Sequence, residues 1–153
     1  MTTSTIEKDI VTKRIAGIEA EIFELQKLAR QKKEEFSTGQ GWKLAQFHLH
    51  RALEGVFNIS THILSRFPGT SPTQYAEIAR KMGEYGIVDK NFAEEKLVKM
   101  AKYRNRLVHF YSEISASELY QIINNNLADF ETFLKGIKKL LENPKEFGLD
   151  IES

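Results

Sequence analysis

The chain has 153 residues, 41% of them hydrophobic and 28% charged, and its 22 Lys and Arg against 21 Asp and Glu leave a net charge of +1. That length is enough for one domain to bury a core without staples, and the lack of cysteine excludes disulfides and thiolate metal sites and suits a cytoplasmic protein. No apolar run is long enough to cross a membrane, the N-terminal MTTSTIEKDI lacks the layout of a signal peptide, and any contact with nucleic acid must come from a local positive patch.

In chain order, Val11, Ile15, Ile18, Ile22, Leu25 and Ala29 step by fours and threes, the seam of a long amphipathic helix. Ser4 with Glu7 forms a capping box at its start, and STGQG at 37–41 ends it. A second helix runs over 42–66 on the apolar face of Trp42, Ala45, Leu49, Leu53, Val56 and Ile63, and FPGTSP is a turn. Ser71-Pro72-Thr73-Gln74 starts a short third helix that stops near Gly86. Asn91 and Glu94 cap a fourth helix that continues to about His109. Ser115 with Glu118 opens a fifth, which carries Leu119, Ile122, Leu127, Phe130, Leu134, Ile137 and Leu141 and ends before Asn143-Pro144. No segment alternates with period two over a strand's length. The expected fold is all-α, an up-and-down bundle of about five helices forming a single domain over 1–153, with 1–5 and 145–153 as fraying tails.

The fourth helix holds the anomaly. Leu97, Met100, Ala101, Arg104, Leu107, Val108 and Tyr111 share one face, so Arg104 occupies a slot where the core expects an apolar side chain. An arginine there must snorkel, pair with an acid or face a wet cleft. Between 96 and 112 the chain has five basic residues (Lys96, Lys99, Lys102, Arg104, Arg106) and no acidic one. A helix dipole accounts for the last two or three of these charges but not for the whole stretch. Arg104 and His109 stand about 140° apart on an ideal helix, so they meet at one phosphate only if the helix loosens near His109, the arginine bends back, or a second subunit contributes.

Arginine binds phosphate oxygens with a planar fork, and histidine titrates near neutrality. The pair suffices for RNA cleavage without metal, in which the 2′-hydroxyl attacks its own phosphate, histidine moves protons and arginine steadies the charge of the transition state. One histidine cannot be base and acid at the same instant, and a symmetric dimer would supply the second. Lys102 and Arg106 are candidate RNA-phosphate contacts. Metal catalysis is poorly supported, because His48 and His50 of HLH point about 200° apart on a helix and cannot chelate one ion.

The run YRNRLVHFY at 103–111 resembles the R-x-x-x-x-H-x-Y motif of the HepT toxins, helical ribonucleases of the HEPN superfamily. The likeness extends to SPTQYAEIARKMGEYGIVD before the motif helix and SEISASELYQIINNNLADFETFLKGI after it, over roughly 10–140. The resemblance implies a HEPN-like homodimeric toxin without cofactor, with Arg104 and His109 catalytic in a cleft between subunits and Asn105 supporting them. It also implies a partner, an MntA-type nucleotidyltransferase antitoxin that transfers AMP to Tyr111. Bulky anionic groups beside a phosphate-binding cleft would exclude RNA by sterics and like-charge repulsion. The alternatives are a non-catalytic helical subunit that binds a nucleotide or a nucleotidyltransferase, and a structural dimerisation module seamed by the first helix.

Overall fold

The computed structural model describes residues 5–69, 71–109 and 114–152. Helix α1 (Lys8–Ala29) buries Val11, Ile15, Ile18, Ile22 and Leu25, the expected seam, against α3 (Gly41–Leu64). From Ala52 onward α3 is buried on several faces, because α4 (Tyr75–Glu84) and α6 (Val98–Val108) pack on it as well. Its buried Ser60 is satisfied by donating to the Val56 carbonyl at 2.9 Å. At Gly55 a Cβ would come within 2.6 Å of Ile18 Cγ1, so α1 and α3 touch closely at that rung. The architecture is the all-α bundle that the periodicity predicts, built from more pieces than five.

Two expected helices are each broken into two pieces. The first stops at Ala29, and α2 (Lys33–Thr38) follows after Lys32 turns extended. Tyr120 on α7 (Ala116–Asn125) donates its hydroxyl to the Gln31 carbonyl at 2.8 Å, and its ring lies 5.1 Å from that of the fully buried Phe36. The break thus has a partner 89 residues away in sequence. The fifth expected helix divides at Asn126 into α7 and α8 (Ala128–Glu142). Three consecutive asparagines, poor helix formers whose amides compete for backbone groups, precede the division.

The start signals fare unevenly. Ser115 Oγ accepts from the Glu118 N–H at 3.1 Å, as expected of an N-cap. The fourth helix is capped by Asp89, not by Asn91 and Glu94: its carboxylate accepts from the Phe92 N–H at 3.1 Å. A short α5 (Lys90–Phe92) then runs through a π turn (Ala93–Leu97) into α6. Helix α4 begins at Tyr75, beyond the expected proline start, and ends before Gly86, whose φ of 73° is the left-handed conformation that terminates helices.

The N-terminal capping box is replaced by a strand. Ser4 lies outside the described residues, and β1 (Thr5–Glu7) pairs in parallel with β2 (Asp150–Glu152), Ile6 opposite Ile151. Glu7 makes no side-chain cap on α1 and instead ties to the end of α3 and the residues after it, accepting from Arg66 at 3.2 Å while its N–H donates to His62 Nε2 at 3.3 Å. Burial and the neighbouring Arg66 push His62 below its ordinary range, which favours the neutral ring that accepting this contact needs. The segment expected to fray after 144 forms a 3-10 turn (Pro144–Phe147), a buried Leu149 and β2. Three-residue strands are too short to register as alternation.

Candidate active site

Helix α6 follows the predicted stripe: Leu97, Met100 and Ala101 are buried, and Leu107 packs partly buried against the core. Arg104 sits in that stripe with its side chain 19% exposed and, of the three outcomes open to it, pairs with an acid. Its Nε donates to Glu54 Oε1 on α3, and its guanidinium carbon lies 4.0 Å from the centre of the Tyr75 ring at the start of α4. Tyr75 is itself held edge-on by Phe57 at 5.2 Å. His50 Nε2, one turn before Glu54 on α3, is buried 3.7 Å from the same Oε1 and makes no hydrogen bond to the described residues. These three elements clamp one cation at the edge of the core.

Arg104 Nη1 reaches Asn105 Oδ1 at 3.4 Å, so the structure joins these two predicted residues. Helix α6 ends at Val108, and His109 takes extended backbone with φ −107° and ψ 111°. The helix thus opens at His109, one of the three ways in which the 140° separation from Arg104 could be overcome. His109 is exposed. Tyr111 lies outside the described residues.

Lys102 and Arg106 are not gathered with Arg104. Each is two residues from it, about 200° round the helix. Lys102 is exposed, whereas Arg106 forms a two-pronged pair with Glu118 on α7, Nη1–Oε2 at 2.6 Å and Nη2–Oε1 at 2.9 Å. That pair holds the Glu118 carboxyl below its ordinary range, and burial together with Glu118 pushes the Tyr103 phenol up. An RNA phosphate would have to displace Glu118 to reach Arg106.

A cleft of about 580 Å³ between α1 and α3 continues from His50 and Glu54 toward Lys13, Arg14, Phe47 and Arg51. Two of its lining residues, Glu21 and Arg51, belong to a second network in which Glu21 accepts from His48 at 2.6 Å and from Arg51 at 2.7 Å. Burial pushes the Glu21 carboxyl up, but those two partners outweigh it and hold the group low. The histidines of HLH therefore serve different carboxylates, and no three His, Asp or Glu among the described residues gather as a metal site.

Sequence reasoning missed Glu54, Tyr75 and His50. The placement of Arg104 in a core slot left an acid partner as one of three possibilities, and only the packing of α3 on α6 selects Glu54.

A family model described as "Ribonuclease HepT-like" matches residues 18–137. Among solved structures, the fold is similar to a toxin–antitoxin crystal structure with AMP-PNP, at 23% identity and TM-score 0.77, covering 86% of this chain and 98% of that one. The same figures describe its likeness to a tri-AMPylated HEPN toxin from Shewanella oneidensis in complex with MNT antitoxin. YutE, a cytosolic protein of unknown function from Bacillus subtilis, is 21% identical with TM-score 0.78, over 94% of this chain and 95% of its own. No curated protein sequence matches with significance.

Proposed function

This chain belongs to the ribonuclease HepT-like family, and on that premise we propose that it is the toxin of a toxin–antitoxin pair, an endonuclease that cleaves RNA without a metal ion. The observation that carries the reading is Arg104 held in an apolar stripe while the helix opens at His109 five residues later. In the proposed reaction the 2′-oxygen bonds to phosphorus as the P–O5′ bond breaks. His109 moves the proton, and Arg104, assisted by Asn105, binds the phosphoryl oxygens as their charge grows. Two copies of the chain would share the cleft and supply the second histidine. Leu44 and Phe47, three residues apart on α3 and 48% and 56% exposed, support an interface on that side.

Regulation follows from the same site. An MntA-type nucleotidyltransferase partner would transfer AMP to Tyr111, two residues past His109, and each added phosphate would repel RNA from Arg104. The likeness to a tri-AMPylated toxin bound to its antitoxin supports this. In the test, purified protein is given total cellular RNA in EDTA. Arg104→Ala and His109→Ala should each lower cleavage about 100-fold or more with the fold unchanged. Treatment with a cognate nucleotidyltransferase and ATP should stop cleavage and add AMP masses that Tyr111→Phe lacks. Full activity in either alanine variant rules out the catalytic assignment.

The pairing of Arg104 with Glu54, which already balances its charge, favours one second reading, a non-catalytic subunit that binds nucleotide. Tight AMP binding by protein that leaves every RNA intact is its signature.

A further inference from the structure

We propose that Glu54 is the positioning residue of this site: it holds Arg104 by Nε and so turns the two-nitrogen edge of the guanidinium toward the scissile phosphate, a role that rests on the RNA-cleaving reading above. Glu54 takes the Nε side of the fork, Tyr75 covers one face at 4.0 Å and Nη1 gives one N–H to Asn105 Oδ1 at 3.4 Å, so Nη2 and the second N–H of Nη1 are the part left to grip two phosphoryl oxygens. The support is rigid. Glu54 stands between Leu53 and Gly55 on α3, where the buried Ala52, Leu53 and Val56 anchor the helix and Gly55 lets it press directly on Ile18 of α1. A catalytic arginine on a four-bond side chain gains rate only if its fork is already aimed, and an error of about 1 Å costs on the order of 100-fold.

A plain ion pair tying α3 to α6 would show the same contact, but the two roles part in kinetics. Removing the carboxylate frees a cation in the RNA path, so RNA should bind as tightly or more tightly while the chemical step slows. Glu54→Ala should lower kcat roughly 30- to 100-fold with KM equal or reduced. Glu54→Gln, which keeps an acceptor for Nε–H, should retain most of kcat and also show the lower KM. A second readout needs no RNA: the Arg104 Hε resonance in ¹⁵N spectra should be shifted and slow to exchange in the wild type and Glu54→Gln, and lost in Glu54→Ala. Cleavage by Glu54→Ala at the wild-type kcat, a raised KM with unchanged kcat, or an Arg104 Hε signal indifferent to Glu54→Ala each overturns the role while leaving the ribonuclease reading intact. Absence of cleavage by the wild type brings down the ribonuclease reading and this role with it, whatever the resonance shows.

Discussion

At the residue scale, two arginines of one helix show how the same side chain is put to different ends. Arg104 meets its acid through Nε, reaches Asn105 with Nη1 and lies over Tyr75, whereas both terminal nitrogens of Arg106 are locked onto Glu118. Nothing in the run YRNRLVHFY distinguishes them beyond the stripe position of Arg104, because the deciding partners sit on α3 and α7. Arg106 is thus a structural tie with a pH signature. Arg106 holds the Glu118 carboxyl below its unfolded value of 4.5. The stabilisation is therefore fully present above that value and is lost as pH falls through the lowered folded one. With the two side chains 36% and 32% exposed, screening limits the pair to about 0.2–1 kcal/mol. Urea unfolding of Glu118→Gln should show that loss near neutral pH, converging with the wild type in acid. An equal gap at every pH rules the tie out.

At the element scale, helix content was legible and helix continuity was not. The seam of α1 and the Ser115 cap follow from spacing and local hydrogen bonding, which operate within a few residues. The break after Ala29 contains neither proline nor glycine, and its support is the Tyr120 hydroxyl on the Gln31 carbonyl. Tyr120→Phe keeps the ring against Phe36 and removes only that donor. It should cost about 1 kcal/mol in thermal or urea unfolding and raise amide exchange over 30–36. Unchanged protection there means that the break is set by packing of Phe36 alone. Glu7 belongs with these misses: its capping role was read from neighbours in sequence, while His62 and Arg66 claim it from 55 and 59 residues away.

At the scale of the whole molecule, a net charge of +1 leaves RNA binding to the local arrangement, and the single chain gathers little of it. Lys102 and Arg106 face away from Arg104, so further phosphate contacts must come from elsewhere, and a second copy is the source we propose. Mixing subunits tests this. If each cleft needs His109 from both chains, an equal mixture of wild-type and His109→Ala proteins should cleave at roughly a quarter of the rate of the same total amount of wild type, from the homodimers that keep both histidines. If each chain works with its own histidine alone, the mixture keeps about half.

Helical spacing and residue chemistry, read from the sequence alone, were enough to determine an all-α chain, the buried seams of α1 and α3, the motif helix and the oddity of Arg104. These depend on a repeat of 3.6 residues and on the cost of burying a charge, both of which are local. Only the tertiary structure decided that Glu54 and Tyr75 answer that cost, that Arg106 belongs to Glu118, and that residues 5–7 and 150–152 pair as β1 and β2. Each of those outcomes joins elements distant along the chain, and such partners are chosen by packing geometry, on which hydrophobic periodicity carries no information.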